Sequence, residues 1–269
     1  MSLTLIIMYA AVGAVAGIIA GLLGIGGGIV TVPLLHLVLN YQGIDGALIH
    51  KIAIGTSLAG IMFTVVSSAA AHHRRGCVDW KTVLHFVPGI LVGAWCGAYI
   101  ASRMPAQYLQ IVFVVFLTYV IFNMLAGKKP KPSRHLPGPA GLSAVGFVIG
   151  CAAGLVGIGG GTISIPYLLW NNVPMLLTIG TAAAISFPAA VSGAIGNVFN
   201  GWNTPGLPEG SLGFVYAPGL LCLVAMSMLM APVGARLAHS LPVPTLKKCF
   251  ACVLIVVAIK MLYGAIQAL

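Results

Sequence analysis

Gly24-Ile25-Gly26-Gly27-Gly28-Ile29-Val30-Thr31-Val32-Pro33-Leu34-Leu35 breaks an apolar run with a glycine cluster, a threonine and a proline. The pattern returns 133 residues later as Gly157-Ile158-Gly159-Gly160-Gly161-Thr162-Ile163-Ser164-Ile165-Pro166-Tyr167-Leu168. In a chain of 269 residues, each copy marks one half of a duplicated protein. As one straight helix, residues 3–39 would extend about 55 Å, against a bilayer core of about 30 Å. The run must bend at its glycines, as two helical arms meeting there. Pro33 falls early in the second arm, where a missing N–H costs little.

The composition sets the environment. The chain is 59% hydrophobic and 6% charged, with a mean hydropathy of +1.07. One soluble core cannot hide that much apolar surface, so an all-α polytopic membrane protein is expected. The net charge of +10 lies mainly in short loops between apolar spans, as a topology signal rather than a nucleic-acid surface. Five of the six cysteines, all but Cys77, fall in apolar segments, and none forms a paired metal array. Neither a metal nor another cofactor is expected. The first twenty residues lack the basic start of a secretory leader, so they are read as retained.

Outward from the first break, residues 40–51 read as a polar connector and 52–71, 82–102 and 107–126 as spans. The second half repeats the plan with a broken stretch at 140–171 and spans near 175–199, 214–238 and 246–268. The units are residues 1–127, a basic linker 128–139, and residues 140–269. Three further matches support duplication. Ile54-Gly55-Thr56-Ser57 answers Ile179-Gly180-Thr181-Ala182, Pro88-Gly89 answers Pro218-Gly219, and Gly97-Ala98 answers Gly234-Ala235.

Charge orients the halves. If each broken stretch crosses once, the basic residues divide seven against five between the two faces. If each returns as a hairpin, Arg74, Arg75, Lys81, Lys128, Lys129, Lys131, Arg134, Arg236, Lys247 and Lys248 share one face. Only Lys51 and Arg103 then lie opposite, and Lys260 stays inside the last span. The second division is what retention of Lys and Arg in cytoplasmic loops predicts. The expected arrangement is therefore two inverted repeats, each a glycine-broken hairpin followed by three transmembrane helices. The basic loops 72–81, 127–139 and 239–248 are then cytoplasmic and both termini extracytoplasmic.

Inverted repeats with broken helices at matching positions are a transporter plan. Glycines at the break expose backbone N–H groups at the start of the next helix, where the dipole favours an anion. The expected donors are Gly26, Gly27 and Gly28 with Gly159, Gly160 and Gly161, helped by the hydroxyls of Thr31, Thr162 and Ser164. Thr56, Ser57 and Thr181 are candidate liners. Asn171, Asn172 and Asn197 read equally as liners or end caps. His36 reads as a buried neutral imidazole, Lys51 and Lys260 as snorkelling cations. No carboxylate falls clearly inside a span.

These glycine–proline stretches, with the Gly-Thr steps behind each, resemble the sulfite exporter TauE/SafE family over nearly the whole chain. The family motif lands on Gly24, Gly26, Gly27, Gly28 and Pro33, and on Gly157, Gly159, Gly160, Gly161 and Pro166. The resemblance implies movement of sulfite, sulfoacetate or another organosulfonate across the cytoplasmic (inner) membrane. The sequence departs from its own symmetry where Ser57 is answered by Ala182. The combined expectation is an alternating-access exporter of a small sulfur-containing anion; a passive anion channel and uptake are the alternatives. No constellation of nucleophile, base and metal ligands supports an enzyme. The expected partners are the anionic substrate and the lipid bilayer; a homodimer is compatible with a transporter of this size but not required.

Overall fold

The computed structural model describes residues 2–23, 27–126, 136–240, 254–255, 258–259 and 262. Gly24, Ile25, Gly26, the linker residues 127–135 and most of the expected last span, with Lys247, Lys248, Cys249, Cys252 and Lys260, lie outside them. The elements are α1 (Leu3–Leu23), α2 (Gly28–Tyr41), α3 (Gly46–Arg74), α4 (Trp80–Arg103), α5 (Ala106–Ala126), α6 (Pro139–Val156), α7 (Gly161–Trp170), α8 (Met175–Gly201) and α9 (Ala217–Ser240). A two-stranded antiparallel ribbon, β1 (Ser211–Leu212) with β2 (Val215–Tyr216), precedes α9. Six of these helices are long and apolar enough to cross a membrane. This is an all-α polytopic membrane protein.

The connector expected at 40–51 is shorter. Asp45 accepts the Ala47 N–H at 2.9 Å and starts α3 at Gly46, so His50 and Lys51 are helical. Asp79 starts α4 in the same way, accepting from the Thr82 N–H at 3.2 Å and its hydroxyl at 2.6 Å. Pro33 is corrected as well: it is the sixth residue of α2, as Pro166 is of α7. A proline there denies a partner to the carbonyl four residues back, that of Ile29 or Thr162.

Each broken stretch enters and leaves by one face. Near the start of α1, the Tyr9 hydroxyl donates to Gln42 Oε1 at 2.9 Å, just past the end of α2. In the second half, Phe86 packs both on Gly146 near the start of α6 and on Tyr167 near the end of α7. Between the two hairpins, α3 and α8 run antiparallel. Gly55 lies against Phe214 and Asn197, Leu58 against Gly193, and Gly180 against His72 and Cys77.

The helices meet through glycine. Gly89, Gly93 and Gly97 on α4 lie against Ser143, Phe147 and Cys151 of α6. In return, Gly146, Gly150 and Gly154 of α6 lie against Phe86, Ile90 and Ala94 of α4. A Cβ at Gly150 would sit 2.5 Å from the Ile90 carbonyl oxygen, so only glycine permits this approach. The contacts recur between α1 and α9: Gly13 meets Leu223, Gly17 meets Ser227 and Gly234 meets Ile18. Contacts of α1 match those of α6 at the offset of 133, and contacts of α9 match those of α4 at 137.

The Pro88–Pro218 resemblance therefore does not mark equivalent positions, since an offset of 137 pairs Pro88 with Ala225. The offset is 125 between α3 and α8, and it rises to 137 because the second half inserts the ribbon before α9. The span expected from 214 accordingly begins at Ala217.

Gly150→Leu should force α4 and α6 apart and destabilise the protein by about 1–3 kcal/mol or more. Gly46→Ala, in open space at a helix start, should change stability by less than about 0.5 kcal/mol. Melting in detergent micelles checks both.

Candidate functional site: two hairpin tips halfway along α3 and α8

The two breaks meet. Gly28, the first residue of α2, lies against Gly157 and Ile158 at the end of α6 and against the Ile61 side chain. Gly159 lies between the side chains of Ile61 and Ser186. Ile61 falls near the middle of the 29-residue α3 and Ser186 near the middle of the 27-residue α8. Both tips therefore lie about halfway along the helices that frame them.

Local chemistry at the tips is almost entirely backbone. Gly27, the cap of α2, holds φ 72, a left-handed conformation that glycine adopts without a Cβ clash. Gly157 ends α6 at φ 78 for the same reason. The halves differ here, because Gly160, the cap of α7, is right-handed at φ −55. Neither Gly27 nor Gly160 caps its helix with a side chain. The first N–H groups of an α-helix have no partner within it, so Gly28, Ile29, Gly161 and Thr162 bring outward-facing donors to the tips. The positive ends of two helix dipoles converge in the same place.

Thr31 turns back on its own helix, donating to the Gly27 carbonyl at 3.1 Å, and Ser164 donates to Gly161 at 3.3 Å. The Ser57 hydroxyl crosses between halves and donates to the Gly157 carbonyl at 2.9 Å. Ala182, its counterpart, has no hydroxyl for such a bond. Thr162 Oγ1 is buried with no hydrogen-bond partner. In dry surroundings an unmet hydroxyl is costly, and such an exception calls for a ligand or a functional reason.

Thr56 and Thr181 do not join the tips. Thr56 Oγ1 accepts the Tyr216 N–H, and Thr181 Oγ1 accepts the Asp79 N–H, each at 3.0 Å. Gly55 and Gly180, one residue earlier, seat the carbonyls of Phe214 and Cys77. Each Ile-Gly-Thr step thus clasps the chain entering a helix of the other half. Asn171 and Asn197 turn back to Tyr167 and Gly193 of their own helices, and Asn172 takes a left-handed turn at φ 67. Gly26 lies outside the described residues.

Acids are absent from the tips among the described residues. Asp45 and Asp79 cap helices, and Glu209 lies in the connection before β1. Lys51 is held at the end of α3, donating to the Ser102 carbonyl at 2.6 Å with its ammonium 5.9 Å from the Phe214 ring centroid. The sequence reading missed Ile61, Ser186 and His50. Only the Gly-xxx-Gly spacing at 89, 93, 97 and 146, 150, 154 could have foretold the helix pairing that sets their positions.

Apolar helices around paired, uncapped helix starts at membrane depth have the form of a membrane transporter. The comparisons agree, and the chain belongs to the Sulfite exporter TauE/SafE family, whose profile matches residues 9–261. It is 36% identical over 260 residues to a Haemophilus influenzae protein named "Probable membrane transporter protein", covering 96% of this chain and 98% of that one. The Bacillus subtilis "Probable membrane transporter protein YunE" is 27% identical, over 97% of this chain and 98% of its own. A similarly named Methanocaldococcus jannaschii protein is 25% identical over 84% of each chain. These names indicate transporters rather than enzymes. No solved structure matches the chain.

Ser57→Ala should cost about 1 kcal/mol by removing the bond that ties α3 to the second tip. Ser67→Ala, whose hydroxyl bonds its own helix on an exposed face, should cost less than about 0.5 kcal/mol. Melting of the purified protein in nanodiscs separates the two.

Proposed function

We propose that the protein exports a small sulfur-containing anion, namely sulfite, sulfoacetate or a related organosulfonate, across the cytoplasmic membrane by alternating access. The observation that carries this reading is the meeting of two uncapped helix N-termini halfway along α3 and α8, with an unpaired Thr162 hydroxyl beside them. A sulfonate or sulfite group presents several oxygen acceptors to converging N–H donors. The anion is held by Gly27 and Gly28 on one side and by Gly159, Gly160, Gly161 and Thr162 on the other. Ser57, Thr31 and Ser164 keep the tips in shape, and Thr56 and Thr181 hold the halves together.

The halves act as inverted repeats that rock about this site. Supporting that arrangement are the antiparallel course of α3 and α8 and the reciprocal clasps at Thr56 and Thr181. Arg74, Arg75 and Lys81 lie by the α3–α4 connection, at the end of α3 opposite Lys51 and the ribbon. We assign their face to the cytoplasm on the retention of Lys and Arg there.

Thr162→Val keeps the side-chain shape and removes the hydroxyl. In proteoliposomes loaded with labelled sulfite or sulfoacetate, it should raise KM about tenfold, the value of one hydrogen bond to a charged group. Counterflow that does not saturate in the wild type would favour a channel, and no flux of either anion by folded protein would reject the substrate assignment. For orientation, an impermeant maleimide on intact cells should label Glu209→Cys in a cysteine-free background. It should label Cys77 alone only after the cells are opened.

A further inference from the structure

Beside Thr162 and Ser211, His50 is the titratable member of the buried side chains with unmet polar atoms among the described residues. It is 1% exposed, and neither ring nitrogen has a hydrogen-bond partner. A buried imidazole normally has at least one nitrogen satisfied, because a dry, unmet polar group is expensive. The ring instead packs between His36 of α2, with centroids 5.7 Å apart, and Phe113 of α5, at 5.5 Å. His36 itself is half-buried.

The pair sits close to the hairpin tips. Val32 and Ile54, one turn along from His36 and His50, both pack on Gly157. Ser57, a second turn along α3 from His50, donates to the carbonyl of that same glycine. The imidazoles and the tips are thus joined by one layer of side chains on α2 and α3.

The fold does not require histidine here. At the offsets that relate the halves, His36 corresponds to Leu169 and His50 to Met175, so the second half fills the equivalent places with apolar side chains. The charged groups shown nearby are engaged elsewhere. On its own helix, Lys51 is held by Ser102, and Asp45 accepts from Ala47. From α5 the titratable groups are Tyr108 and Tyr119, both exposed, and Arg103 of α4 stacks on Tyr99. His36 is the titratable group shown against the His50 ring.

We propose that the His36–His50 pair is a proton-binding site and that its proton moves in the same direction as the anion held at the tips. This rests on the transport reading above. The proton enters on an imidazole nitrogen of the half-buried His36 and is shared with His50 when the face around them opens. The resulting imidazolium supplies the positive charge that an anion at mid-membrane otherwise lacks, and in low dielectric the attraction makes binding of the two cooperative. A dianion leaving with one proton still carries net negative charge out along an inside-negative potential, so proton co-movement and export are compatible.

Two measurements test this. The first needs no substrate: 15N-imidazole NMR of histidine-labelled protein in nanodiscs, with His36→Gln and His50→Gln for assignment. The expected result is one proton taken up by the pair as the pH falls, with each substitution shifting the other signal. A pair that stays neutral at every pH at which the protein remains folded, or a His50 signal that ignores His36→Gln, overturns the proposal.

The second is sulfoacetate accumulation in proteoliposomes with the membrane potential clamped; sulfite exchanges protons itself and is unsuitable. With one proton per anion, a lumen one pH unit more alkaline than the bath should raise wild-type accumulation about tenfold over symmetric pH. That ratio should fall to about one in His50→Gln and in His36→Gln. An unchanged ratio in both variants overturns the proposal. Absence of any wild-type flux counts against the transport reading, and the titration then decides the proton site by itself.

Discussion

Inside a bilayer, backbone polar groups have no water to turn to, and this chain places two unfinished helix starts there. Such ends survive only where protein surrounds them or a ligand meets them. Here the surrounding protein is built on glycine. Gly27 and Gly157 turn the chain within the membrane, and Gly28 and Gly159 bring the two turns against Ile61 at the centre of α3. Everything around the tips braces that arrangement.

The bracing is crosswise. Helices α1 and α9, from opposite halves, lie in glycine contact, as do α6 and α4. The hydroxyls of Thr56 and Thr181 then seize the backbone just before α9 and α4. Hydrophobic association offers little between helices in lipid, so close van der Waals approach and a few well-placed hydrogen bonds carry the load. Neither half is a self-contained unit, because each lends its neighbour the surface that the neighbour's hairpin packs on.

Departures from the symmetry are chemically specific. Ser57 ties α3 to the second tip while Ala182 cannot answer, and the ribbon before α9 has no equivalent before α4. The histidine pair belongs to the first half alone. The two tips, which already differ in backbone at Gly27 and Gly160, are thus given different surroundings.

Much of this was legible in the residues. Apolar runs, glycine breaks and the doubled motif determined a helical membrane protein with two interrupted segments, since length and hydropathy act locally and additively along the chain. The motif residues also pointed to the tips. Side-chain roles were not legible, because they depend on which helices touch. Thr56 and Thr181 read as liners, yet in the folded chain they face backbone from the other half. His50 read as part of a polar connector, yet Asp45 starts the helix early enough to bury it. Which hydroxyls are satisfied, which imidazole is left unmet, and that the two breaks meet were decided only by the tertiary structure. Glycine contacts between helices distant in sequence set those distances, and a Gly-xxx-Gly spacing marks a contact face without naming its partner.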